Sequence, residues 1–122
     1  MKGNIEVICG SMFSGKTTEL IKKLQYAKKR KRKIIVFKPV IDSRYHKENI
    51  VSHDGKSISC LPINNPSDII ELSKDSDVIG IDEAQFFNEE LISICTILAN
   101  QGKEIIIMSH FDILIKFLGI QL

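Results

Sequence analysis

Nine residues near the start of the chain, Gly10-Ser11-Met12-Phe13-Ser14-Gly15-Lys16-Thr17-Thr18, restrict its fold more than any other stretch. They follow the β-branched run "IEVIC" (5–9) and precede Leu20, Ile21, Leu24 and Ala27, which recur at helical spacing. The order is therefore strand, loop, helix. The loop fits G-x-x-x-x-G-K-[ST], a pattern with a physical reason at each position. Glycines let successive backbone N–H groups point into one concavity, and the helix that begins at Lys16 adds its positive end. Such a cradle receives phosphate. Lys16 can reach β- and γ-phosphates, and the Thr17 hydroxyl is placed to ligate Mg²⁺.

Downstream, apolar runs and helical segments alternate. "KIIVFKP" (33–39) reads as a strand stopped by Pro39. Residues 40–66 are loop-rich, with a short strand or two near "NIVSHDGKSISCLPI". "PSDIIELSK" reads as a short helix with Ser67 as its N-cap. "DVIGIDEAQFF" (77–87) is a strand running into acidic residues, and "NEELISICTILANQGK" (88–103) is a helix stopped at Gly102. "EIIIM" (104–108) is one more strand. The alternation implies an α/β protein with a mainly parallel sheet covered on both faces. Ligands on such sheets bind beyond the carboxyl ends of the strands, where the glycine loop and the acids both fall.

Asp82 and Glu83 close the apolar run "VIGIDE". An aspartate there can help hold magnesium, and Glu83 can accept a proton from whatever attacks the γ-phosphate. The attacker is water in an ATPase or a substrate hydroxyl in a kinase. Asp82-Glu-Ala-Gln85 also resembles the acidic box of helicase ATPases, but 122 residues leave no room for a helicase core. A bare ATPase stays open, and so does the plain reading of both acids as solvated strand-end groups.

The net charge of +2 does not mark a nucleic-acid binder, so no nucleic-acid partner is expected. Cys9, Cys60 and Cys95 are isolated and form no C-x-x-C pair, which fits a reducing, cytoplasmic setting. No apolar stretch is long enough to span a membrane, because His110, Asp112 and Lys116 break the most apolar tail.

"GSMFSGKTTEL", "FKPVIDSRY", "VSHDG" and "IDEAQFF" occur in the order and spacing seen in thymidine kinases of the cellular, zinc-containing type. The resemblance covers residues 4–107. It implies a P-loop NTPase-like three-layer sandwich and a kinase passing the γ-phosphate of ATP to the 5′-hydroxyl of thymidine, giving dTMP. Glu83 would take the proton from that hydroxyl. Gly10 through Thr18, Arg44, Asp82 and Gln85 would line the ATP site, with Mg²⁺ held by Thr17, Asp82 and Asp42. Met12 and Phe86 would pack on the thymine ring. The family forms tetramers, so a homo-oligomer is a further implication.

After "GKEIII" the chain departs from the family's sequence. Residues 1–107 read as the nucleotide-binding domain and 108–122, within "MSHFDILIKFLGIQL", as a divergent apolar tail. The zinc ribbon and the lasso that closes over the base are expected to be missing, so no zinc site is expected and one sheet edge loses its cover. An inactive ATP-binding remnant is the alternative to an active kinase. Plain structural roles also stand beside the functional ones: Arg44 as a solvated loop charge, Phe86 or Phe87 as core, and "KKRKRK" (28–33) as a solvated helix end. His53 is assigned no chemistry, and Cys9 reads as a small buried apolar residue.

Overall fold

A computed structural model of the chain describes residues 3–10, 15–40, 49–51 and 55–109. Along the chain run β1 (Asn4–Cys9), α1 (Lys16–Lys29), β2 (Ile34–Pro39), β3 (Asn49–Val51), β4 (Ser57–Ser59) and β5 (Leu61–Ile63). They are followed by α2 (Asp68–Leu72), β6 (Val78–Ile81), a 3₁₀ turn (Ala84–Phe86), α3 (Glu90–Asn100) and β7 (Glu104–Ser109). Five strands form one sheet in the order β1-β7-β6-β2-β5, and every neighbouring pair is parallel. β3 and β4 make a separate antiparallel pair.

Period-two alternation in the strands separates two cores. On β7, Ile105 and Ile107 join the cluster around Leu91, Ile94, Cys95 and Leu98 of α3. Their neighbours Ile106 and Met108 turn to the other face and meet Leu20, Ile21, Leu24 and Ala27 of α1. β6 does the same, with Ile79 and Ile81 toward α3 and Val78 toward α1. Strands buried on both faces must be apolar throughout, which is why "VIGI" and "EIIIMS" carry almost no polar residue. Each fully buried Leu or Ile contributes about 1.5–3 kcal/mol relative to exposure. The expected three-layer sandwich is present.

Two helices end in the same hydrogen-bond motif with different residues. After α3, the N–H of Gly102 donates to Ala99 O at 3.0 Å and that of Lys103 to Leu98 O at 3.2 Å. After α1, Lys31 N–H donates to Lys28 O at 3.0 Å and Arg32 N–H to Ala27 O at 3.1 Å. Both are Schellman closures, which need a left-handed residue at their centre. Gly102 takes φ 92 at no steric cost, whereas Lys31 takes φ 62 with a Cβ in place. Gly102 is the stop expected of it.

Other expectations need correction. Ser67 holds the N-cap position of α2, but its backbone is already helical and its side chain makes no capping bond. At α3 the capping side chain is Asn88, whose Oδ1 accepts the Glu90 N–H at 2.9 Å. Three short strands form between residues 49 and 63 rather than one or two, and β5 joins the main sheet beside β2. Pro62 is tolerated there because β5 is an edge strand. Cys9 is half-buried, not buried, since among the described residues β1 pairs with β7 alone. No helix among the described residues is long and apolar enough to cross a membrane.

Candidate active site

Because all five strands of the main sheet are parallel, their carboxyl ends gather on one side, and Gly10, Lys16, Asp82 and Glu83 gather with them. Gly10 follows β1 and is buried. Gly15 opens α1 at φ 84 and ψ 8, so the left-handed turn into the helix explains the glycine. Its carbonyl accepts the Glu19 N–H at 3.2 Å. Lys16 Nζ donates to Gly10 O at 3.1 Å, tying the loop's last residues back to its first. Thr17 and Thr18 are half-buried in the first turn of α1. Ser11, Met12, Phe13, Ser14, Asp42, Arg44 and His53 lie outside the described residues.

Asp82 sits just past β6, and its N–H still donates to Phe37 O at 2.8 Å. The sheet thus anchors its backbone while the side chain enters the core's edge at 8% exposure. Oδ1 has no hydrogen-bond partner among the described residues. Burial pushes the Asp82 carboxyl from 3.8 up to about 7, and the Glu83 charge adds to the rise. The Glu83 backbone N–H, Lys38 and Lys16 pull the other way. Lys16 and Asp82 are therefore electrostatic neighbours although 66 positions apart in sequence. A buried carboxylate oxygen without a donor suits a hard cation, which prefers oxygen ligands.

At Glu83 the backbone turns left-handed, φ 53 and ψ 42. For a non-glycine residue this costs about 1 kcal/mol or more, and such conformations cluster at functional sites. The turn is held by Phe86 N–H to Glu83 O at 3.1 Å and by Phe87 N–H to Ala84 O at 3.1 Å. It also brings Gln85 back onto Glu83, with Gln85 Nε2 donating to Glu83 Oε2 at 2.6 Å. Gln85 Oε1 in turn accepts from Ser109 Oγ, at the end of β7, at 3.0 Å.

The two phenylalanines separate cleanly. Phe87 is 6% exposed and belongs to the core, whereas Phe86 is 57% exposed. Two residues near the acids are given no role by the sequence, Lys38 and Ser109. Each has a faint signal, a polar side chain at the carboxyl end of an otherwise apolar strand. Cys95 is buried, with its thiol pushed up to about 12, and so is inert. Among the described residues no three His, Cys, Asp or Glu side chains come together as a metal-binding group.

A glycine-bracketed loop closed by lysine, with a buried acid on a nearby parallel strand, defines a P-loop α/β protein. Structural comparison agrees on the fold: the ATPase DotB of Legionella pneumophila matches 90% of this chain and 31% of its own, with TM-score 0.57 and 17% identity. Sequence comparison goes further. The thymidine kinase family model matches residues 3–112, and the chain belongs to that family. It is 52% identical over 106 residues to the thymidine kinase of Bacteroides thetaiotaomicron, covering 87% of this chain and 53% of that one. With the Porphyromonas gingivalis enzyme it shares 50% identity over 106 residues, covering 87% and 52%. The Rhodothermus enzyme is 49% identical over 105 residues, covering 86% and 49%. The chain thus spans about half the length of the curated relatives it matches.

Proposed function

We propose that this chain binds ATP with Mg²⁺ and passes the γ-phosphate to the 5′-hydroxyl of thymidine, giving dTMP. The observation that carries the reading is the state of two adjacent acids. Among the described residues, Asp82 presents a buried oxygen with no donor, and Glu83 is bonded through one carboxylate oxygen only. The first suits a cation, and the second leaves an oxygen to receive a proton.

In this reading the loop from Gly10 to Thr18 wraps the phosphates and Lys16 leaves the Gly10 carbonyl for the γ-phosphate. That exchange replaces a neutral acceptor by a charged one and roughly doubles the strength of the bond. Thr17 and Asp82 would hold Mg²⁺, with Asp42 as a third candidate, and the ion would supply neutralisation of phosphate charge. Glu83 accepts the hydroxyl proton as the acceptor attacks, and Gln85 supports the same site. Arg44 pairs with phosphate, while Met12 and the exposed Phe86 face the base. A cytoplasmic setting and homo-oligomer formation belong to the same proposal.

Labelled ATP, incubated with the chain with and without thymidine, tests it. Label in dTMP only when thymidine is present is the expected result. Phosphate release indifferent to thymidine would instead make the chain an ATPase with Glu83 acting on water. ATP binding with neither product would leave an inactive nucleotide-binding member of the family. Glu83→Gln should keep ATP affinity within about twofold while dTMP formation falls by about 100-fold or more.

A further inference from the structure

Gln85 uses both ends of its amide inside the protein. Its amide nitrogen donates to Glu83 Oε2 at 2.6 Å. The amide oxygen then faces Ser109, whose hydroxyl donates to it at 3.0 Å. Ser109 is 1% exposed and ends a strand whose preceding residues are fixed by β1 and β6 on either side. Its hydroxyl is therefore held by an inner strand of the sheet. Glu83, by contrast, stands on a strained left-handed turn outside the strands, and Gln85 is the side chain that bonds its carboxylate.

We propose that Ser109 is a positioning residue, which acts through Gln85 to aim the Glu83 carboxylate. Without the Ser109 hydroxyl the amide oxygen loses its partner on β7, and the Gln85 side chain is free to swing and carry its bond to Glu83 with it. With it, Gln85 is anchored at both ends and gives Glu83 Oε2 a fixed donor. The inference rests on reading Glu83 as the proton acceptor. It places the chain's third strand-end contribution on β7, between the strands that carry the phosphate loop and the acids.

The test uses the full chain with Ser109→Ala, Ser109→Thr, Gln85→Met and the double variant Ser109→Ala/Gln85→Met. NMR of the Gln85 side-chain amide reads positioning with no need for turnover. Two separated proton resonances, away from free-glutamine positions, are expected in the wild type and in Ser109→Thr, and their collapse toward those positions in Ser109→Ala. For dTMP formation, Ser109→Ala and Gln85→Met should each lower kcat by about tenfold with KM for ATP within about twofold. The double variant should lose no more than either single one, since both cut the same chain. Should Ser109→Ala fail to fold, Gln85→Met on its surface turn still carries the kinetic arm, and the wild-type amide resonances still carry the other. Free-glutamine resonances in the wild type, resonances unchanged by Ser109→Ala, or additive losses would overturn the proposal. A wild-type chain that makes no dTMP would overturn the kinase reading instead, with the amide resonances still deciding the role of Ser109.

Discussion

At the amino ends of the strands, Lys23 meets Glu6 at 3.0 Å and Arg32 meets Glu104 at 2.7 Å. There too the Lys33 N–H donates to Asp77 Oδ2 at 2.8 Å, and Lys103 Nζ donates to the carbonyls of Ser73, Lys74 and Ser76. At the carboxyl ends of the same sheet, Asp82 Oδ1 has no donor among the described residues and Glu83 is backbone-strained. Both ends are rich in polar side chains. They differ at Asp82, whose buried oxygen is left without a protein donor among the described residues, the kind of group that a ligand would complete.

The comparison can be broken at either end. Lys16→Ala should weaken ATP binding by about 100-fold, about 2.7 kcal/mol, with little change in melting temperature. Titration calorimetry and a thermal melt check the two halves of that statement, and a large loss of stability would make Lys16 a structural lysine. Asp82 should reveal itself through pH. Its carboxyl titrates at about 7 in the folded chain and near 3.8 when unfolded, so between those values the folded state binds the extra proton. Stability should therefore fall as pH rises through that window, by about 2 kcal/mol between about pH 5 and pH 7.5. Urea unfolding of wild type and Asp82→Asn isolates this contribution, because the variant should lack it.

At the opposite end, Lys103→Met should cost about 1.5 kcal/mol through the carbonyls it strands at the end of α2, with ATP affinity untouched. Denaturant midpoints and calorimetry on one sample decide it. The smallest effect sharpens the point from within the helices. Lys31→Gly should stabilise by about 0.5–1 kcal/mol, since glycine adopts the left-handed closure without strain. A lower midpoint in that variant would show that the lysine side chain contributes something its backbone conformation conceals.

Much of the fold and part of the site are legible in the order of residues. Apolar runs bounded by glycine, proline or acids locate β1, β2, β6 and β7, because strands buried on both faces admit few polar residues. The spacing of Leu20, Ile21, Leu24 and Ala27 locates α1, and the loop pattern locates Gly10, Gly15 and Lys16. What stays hidden depends on contacts between distant segments. Nothing local in "CLPIN" announces that three residues will extend the main sheet. A left-handed Glu83 carries no sequence signal, since glycine or asparagine would be the residue expected there. The meeting of Ser109 with Gln85 spans 24 positions and exists only because β7 runs between β1 and β6. Ser67 shows the converse, a good local signal that the chain does not use.

The most direct test asks whether the unsatisfied carboxylate is kept for a nucleotide-bound cation. ATP is titrated into the wild-type chain and into Asp82→Asn, once with magnesium and once with chelator. Magnesium should tighten binding to the wild type by about tenfold or more and leave the variant nearly indifferent to the ion. Equal affinity with and without magnesium in the wild type would contradict the account, and Asp82 would then be an acid buried for some other reason.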